Sequence, residues 1–130
     1  MTAQEKHTIL IIEDEPLMVK ILKAFLESAE FNVLTARDGL EGVAIYEQNK
    51  AQIELILSDI TLPEMDGWAV YARLRAINPE VKVIFTSGFF DPELKAQCER
   101  AGIQDLIPKP FRLDEVVNIV RSKVSPGSPT

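Results

Sequence analysis

Apolar positions in this chain follow two alternating spacings. Short runs rich in β-branched residues occupy Thr8 to Ile12, Asn32 to Ala36, Ile53 to Ser58, Lys82 to Thr86 and Gln104 to Ile107. Runs of this length and composition read as strands covered on both faces. Between them the spacing lengthens to three and four. Met18, Ile21, Leu22, Phe25 and Leu26 share one helical face, as do Val70, Leu74 and Ile77, and later Leu113, Val116, Val117, Val120 and Val124. The stripe Leu94, Cys98 and Ala101 predicts a further helix from Asp91 to Ala101, and Trp68 begins one after Gly67. Pro16 suits a first helical turn, Asp114 and Glu115 lie at the positive start of the last helix, and Arg121 and Lys123 lie near its negative end. Five strand-helix units result. Strands separated by helices imply right-handed parallel crossovers, hence a doubly wound five-stranded α/β sheet with helices on both faces. Ligands of such sheets bind beyond the carboxyl ends of the strands.

Composition narrows the setting. With 130 residues, 46 % of them hydrophobic, the chain suits one domain burying roughly two-thirds of its unfolded surface. The expected division is a flexible N-terminus over 1–7, a single domain over 8–124 and a flexible Pro/Gly/Ser tail over 125–130. A net charge of -6 and a pI near 4.8 disfavour direct nucleic-acid binding, which needs a basic surface, and leave protein or cation partners. One cysteine excludes an intramolecular disulfide and suits a reducing cytoplasm. Cys98, on its helical stripe, reads as a packed thiol. No apolar stretch approaches the ~20 residues needed to cross a bilayer, so neither export nor membrane anchoring is expected. His7, in the N-terminal segment with no acid, base or metal-ligand pattern beside it, is assigned no role.

The chemistry gathers where strands end. Asp59 closes one apolar run and stands before the turn Ile60-Thr61-Leu62-Pro63-Glu64-Met65-Asp66-Gly67, which makes it a candidate nucleophile. Glu13 with Asp14, Ser87 and Lys109 follow three other runs in the same way. Three acids so close raise one another's pKa unless a cation intervenes. Mg²⁺ answers this need because it takes oxygen ligands and keeps several waters. Asp14 and Asp59 are then direct ligands, Thr61 offers its carbonyl, and Glu13, longer by a methylene, reaches the ion through water. Taken alone, Glu13-Asp14-Glu15 reads equally as acids at a helix start. Lys109, held between Pro108 and Pro110, is aimed at Asp59 or at a phosphoryl group added there. Ser87 offers that group a hydrogen bond, and Gly88 allows close backbone approach. Thr86 is its neighbour, turned the other way by strand alternation.

Taken together, Ile11-Ile12-Glu13-Asp14-Glu15, Asp59 to Gly67, Thr86-Ser87-Gly88 and Lys109-Pro110-Phe111 resemble the receiver domain of bacterial two-component response regulators of the chemotaxis-regulator kind. The resemblance runs from about Thr8 to Val124, with 28 residues from Asp59 to Ser87 and 22 from Ser87 to Lys109. It implies a flavodoxin-like sheet in strand order 2-1-3-4-5 with five helices. It also implies that Asp59 accepts a phosphoryl group from a phosphohistidine of a sensor histidine kinase or phosphotransfer protein, with Mg²⁺ required for transfer and hydrolysis. Asp14 and the Thr61 carbonyl bind the ion, Glu13 assists, Ser87 hydrogen-bonds the phosphoryl group and Lys109 pairs with it. The Lys109-Pro110 peptide is then cis, as in many relatives. Such a protein is a signalling module that catalyses its own phosphorylation and dephosphorylation and switches a surface for a downstream protein. The readout is expected on the helix from Asp91 to Ala101, the strand near Leu106 and the last helix.

Two positions depart from the family pattern. Leu106 stands where a tyrosine or phenylalanine is usual, so output travels by a Leu106 rotamer change or by backbone shifts alone. Glu13 stands where aspartate is frequent, which modifies metal affinity. Phe89, two residues beyond Ser87, is assigned the shielding of the acyl phosphate from water, with core packing of Phe89 and Phe90 as the competing reading. Two other functions use similar residues. A Mg²⁺-dependent phosphatase of the haloacid dehalogenase type needs a second acid two residues after the nucleophile, where this chain has Thr61. A pseudo-receiver that only binds would not need every reactive position filled. The start at Met1 favours a free-standing regulator over a receiver excised from a longer protein.

Overall fold

The structure is a computed structural model that describes residues 6–61, 65–88, 92–103 and 105–124. Strands and helices alternate along the chain: β1 (Thr8–Ile12), α1 (Pro16–Ser28), β2 (Asn32–Ala36), α2 (Gly39–Asn49), β3 (Ile53–Asp59), α3 (Gly67–Ile77), β4 (Val83–Ser87), α4 (Pro92–Arg100), β5 (Leu106–Pro108) and α5 (Leu113–Lys123). All strand pairs are parallel and the order is β2-β1-β3-β4-β5, as predicted.

Strand alternation divides the core between the two faces of this sheet. Ile9, Ile11, Leu55, Leu57, Ile84 and Ile107 pack with Leu22 and Leu26 of α1 and with Val116, Val117 and Val120 of α5. Leu10, Ile12 and Ile56 pack on the other face with Val43 and Tyr46 of α2 and Val70 and Leu74 of α3. A third cluster joins Ile60, Phe85, Cys98 and Ile103 beneath α4. Cys98 is buried, and burial pushes its thiol pKa above the usual value, with Glu99 adding to the rise.

Several elements differ in detail from the sequence reading. The third strand continues to Asp59, and the fourth and fifth run one residue further than predicted, to Ser87 and Pro108. Their final residues carry polar or proline side chains that an apolar run does not include, while pairing with the neighbouring strand extends them: Asp59 pairs with Thr86 and Ser87 with Pro108. The N-terminal strand bound at Gln104 and the helix bound at Asp91 lie outside the described residues. β2 is not covered on both faces: Asn32 is exposed and Val33, Leu34 and Thr35 are half-buried, because β2 is an edge strand. Phe25, expected on the buried stripe of α1, is 44 % exposed, since it lies on the flank of a face centred on Leu22 and Leu26.

α2 has a buried stripe, Gly39, Gly42, Val43 and Tyr46, that hydropathy conceals because two of its four members are glycines. A Cβ at Gly42 would lie 2.5 Å from Ile12 Cδ1, so glycine is what lets this helix sit close on β1. The Asp38 carboxylate caps α2 by accepting the Glu41 N–H at 2.8 Å. His7 also finds a partner that its own segment lacks. Its ring meets the Glu54 carboxylate of β3, and its carbonyl accepts the Asn32 N–H at 2.9 Å, because parallel pairing sets the chain entry beside both strands. Residues 1–5, the tail 125–130, and Phe89 and Phe90 lie outside the described residues.

Candidate functional site

Four carboxyl-terminal strand ends meet at one edge of the sheet. β1 delivers Glu13 and Asp14, β3 delivers Asp59, β4 delivers Ser87, and the turn after β5 delivers Lys109. Backbone hydrogen bonds hold these ends in register. Glu13 N–H donates to the Ala36 carbonyl at 3.0 Å, Ile60 N–H to the Thr86 carbonyl at 2.9 Å, and Lys109 N–H to the Ser87 carbonyl at 2.7 Å. The Lys109-Pro110 peptide is cis, as the resemblance implied.

The turn after Asp59 depends on a close backbone approach. Gly67 N–H donates to the Ile60 carbonyl at 2.8 Å, and a Cβ on Gly67 would lie 2.7 Å from both the Cα and the carbonyl oxygen of Ile60. No side chain fits there. The Asp66 carboxylate, accepting the Ala69 N–H at 2.9 Å, then caps α3. The glycine and aspartate that end the motif are thus a packing requirement and a helix cap.

Asp59 is buried, 7 % exposed, and both its carboxylate oxygens are engaged. Oδ1 accepts the Thr61 N–H at 2.9 Å, and Oδ2 accepts from Lys109 Nζ at 3.0 Å. Lys109 Nζ also donates to Glu13 Oε1 at 3.2 Å, while Glu13 Oε2 accepts the Glu15 N–H at 3.3 Å. One ammonium therefore bridges two buried carboxylates. Burial pushes the Glu13 carboxyl above its usual range, Lys109 pulls it back, and the Asp59 charge adds to the rise. Burial alone would depress the Lys109 ammonium, but the hydrogen bonds and charges of Asp59 and then Glu13 outweigh it and hold its pKa above the usual lysine value.

Carboxylate oxygens of Glu13, Asp14 and Asp59 lie within 4.8 Å of one another, with Asp14 exposed and the other two buried. This set of hard oxygen donors fits a divalent cation such as Mg²⁺. Ser87 is buried at the same edge and has a bonding partner. Thr86, equally buried, is paired with Asp59 across the strands. Thr61 is exposed at the mouth. The structure thus gathers Glu13, Asp14, Asp59, Ser87 and Lys109, with Thr61 following directly on the strand that carries Asp59. Sequence reasoning missed the direct contact of Glu13 with Lys109. Its only signal in the sequence is the added methylene, which gives Glu13 a reach that fits a metal-bound water equally well.

Comparison with known proteins agrees with this geometry. A family profile described as response regulator receiver domain matches residues 9–121. The chain is 34 % identical over 110 residues to the chemotaxis protein CheY of Listeria monocytogenes, covering 84 % of this chain and 91 % of that one. It is 32 % identical over 122 residues to the transcription factor SKN7 of Chaetomium thermophilum, covering 93 % of this chain but spanning only 16 % of that protein's length. A chain of the CheX-CheY-BeF3-Mg²⁺ complex of Borrelia burgdorferi superposes with a TM-score of 0.83 at 31 % identity, covering 88 % of this chain and 87 % of that one. With the strand order, the acidic pocket and the match over nearly its whole length, this chain belongs to the response regulator receiver domain family of two-component signalling.

Proposed function

We propose that the domain over Thr8 to Val124 takes a phosphoryl group onto Asp59 from a phosphohistidine of a sensor histidine kinase or phosphotransfer protein. The P–N bond to the histidine breaks as a P–O bond to the Asp59 carboxylate forms, and the ring nitrogen leaves with the electron pair. The observation that carries this reading is the buried Asp59 carboxylate with Lys109 Nζ at 3.0 Å and two further acids within metal-binding distance. Phosphoryl transfer needs in-line access and neutralised oxygens more than covalent help from the protein. Lys109 supplies one positive charge. Asp14, Asp59 and the Thr61 carbonyl would hold Mg²⁺, with Glu13 assisting through water, and the bound ion supplies the remaining neutralisation. Ser87 donates a hydrogen bond to a phosphoryl oxygen. The acyl phosphate, at about -2 where the carboxylate carried -1, then draws Ser87 and β4 toward Asp59 with its new acceptor oxygens and switches a surface read by a downstream protein. The same residues support hydrolysis of the acyl phosphate. A reducing cytoplasm accords with the single, buried, unpaired Cys98.

Intact-mass measurement after exposure to acetyl phosphate, with and without Mg²⁺, tests this reading on wild type and Asp59→Asn. The expected result is the gain of one phosphoryl group by the wild type, dependent on metal and absent from the variant. A metal-independent gain, or one retained by Asp59→Asn, overturns the assignment of Asp59. No gain under any condition favours a pseudo-receiver.

A further inference from the structure

Phe85 is fully buried and pairs in the strand register with Ser58, the residue before the proposed phosphoacceptor. It precedes Ser87 by two residues on β4, so both side chains leave the same face of the strand. Its ring meets two others edge-on, Trp68 at a centroid distance of 5.8 Å and 67° between planes, and Tyr71 at 6.1 Å and 70°. Both partners belong to α3. Trp68 extends from this buried contact to the surface, where with Gln97, Arg100 and Ala101 it lines a cleft of about 370 Å³ between α3 and α4.

The backbone connects the same places. Ile60, next to Asp59, donates its N–H to the Thr86 carbonyl and accepts the Gly67 N–H on its own carbonyl. The first turn of α3 is thereby tied to the end of β3, and the end of β3 to β4. A pull on Ser87 moves a strand whose next inward side chain is wedged between two rings of α3. Close-packed interiors pass such displacements on, because there is no free volume to absorb them. Leu106 pairs with Phe85 in the strand register and belongs to the same cluster, but it is a branched aliphatic side chain without a ring.

We propose that Phe85 is the conformational relay of this protein, transmitting phosphorylation of Asp59 through the Trp68 and Tyr71 rings to the surface between α3 and α4. The relay rests on the phosphoacceptor reading above. Trp68 is the only tryptophan, so its emission reports this position alone. Emission is measured before and after addition of acetyl phosphate with Mg²⁺, with Mg²⁺ alone as the baseline, and the phosphorylated fraction is read in parallel by intact mass. The wild type is expected to change Trp68 emission in proportion to the phosphorylated fraction. Phe85→Leu is expected to take up phosphate yet lose the emission change, Tyr71→Leu to reduce it, and Leu106→Ala to retain it. Should Phe85→Leu not fold, Phe85→Met provides the same test with a flexible side chain of similar size. The relay is overturned by unchanged emission in phosphorylated wild type, by a full response in the Phe85 variant, or by its loss in Leu106→Ala. Absence of any mass gain in the wild type would instead remove the phosphoacceptor reading itself.

Discussion

Replacing Lys109 with alanine leaves the Asp59 and Glu13 carboxylates facing each other without the ammonium they share. That ammonium lies 3.0 Å from Asp59 Oδ2 and 3.2 Å from Glu13 Oε1, with the acid side chains 9 % and 3 % exposed. At such separations each attraction is about 5 kcal/mol at an effective dielectric near 20. Much of this is offset in the wild type by desolvation, and in the variant by water entering the vacated space. Removing one partner of a buried pair costs about 3–5 kcal/mol. The Lys109 side chain keeps 22 % of its surface in solvent, so the lower end, about 3 kcal/mol, is expected here. For a domain of this size that corresponds to a fall in Tm of roughly 10 °C.

Two conditions should shrink the deficit. Mg²⁺ held at the proposed site would replace the lost positive charge and, by binding the folded state alone, would stabilise it. Acidification neutralises Glu13, whose pKa burial already raises. A carboxyl with its folded pKa above the unfolded value contributes stability that is complete below the unfolded pKa and is lost as pH rises through the folded one. Without Lys109 the Glu13 pKa rises further, so the deficit relative to wild type is largest at neutral pH and narrows as pH falls toward the ordinary carboxyl range. Urea denaturation of both proteins, in EDTA and in Mg²⁺, at neutral and mildly acidic pH, measures each term. A deficit below about 1 kcal/mol in EDTA at neutral pH, the level of an exposed pair, refutes the bridging role. So does a deficit that Mg²⁺ leaves unchanged.

Gly67→Ala places a Cβ 2.7 Å from the Ile60 backbone, which cannot yield as a flexible side chain would. The expected loss is about 1–3 kcal/mol by urea denaturation, whereas Gly88→Ala, with nothing near the new Cβ, should stay within roughly 0.5 kcal/mol. Equal effects of the two substitutions would remove the close-approach argument. Cys98 is 2 % exposed and its thiol pKa is raised by burial, so a thiol reagent at mildly alkaline pH should label the native protein only as fast as it opens, and the urea-unfolded chain at once. Comparable rates in the two states would contradict that burial.

The fold was legible because its strands are short, continuous and apolar while three of its helices show wide stripes. The least visible helix, Gly39–Asn49, buries Gly39 and Gly42, and a hydropathy pattern assigns no weight to a glycine that packs by having no side chain. Strand ends were read short because Asp59, Ser87 and Pro108 are not apolar, and pairing with neighbours carries the ladder past the apolar run. The candidate residues were legible for a related reason. In a parallel sheet every strand ends at the same edge, so polar residues following apolar runs converge there without further information.

Sequence alone determined which groups share that edge: two acids after the first strand, Asp59 after the third, Ser87 after the fourth and Lys109 after the fifth. It also determined the limits on charge, cysteine pairing and membrane crossing, because these depend on composition and run length. Only tertiary structure decided how the groups are paired. Lys109 bridges Glu13 and Asp59, separated from them by 96 and 50 positions, and Phe85 is set between Trp68 and Tyr71 of a helix from another part of the chain. Hydropathy periodicity reports the direction in which a side chain leaves its own element. Contacts at 3.0 and 3.2 Å, such as those of Lys109, depend on the packing of elements against one another, and no local pattern encodes that distance.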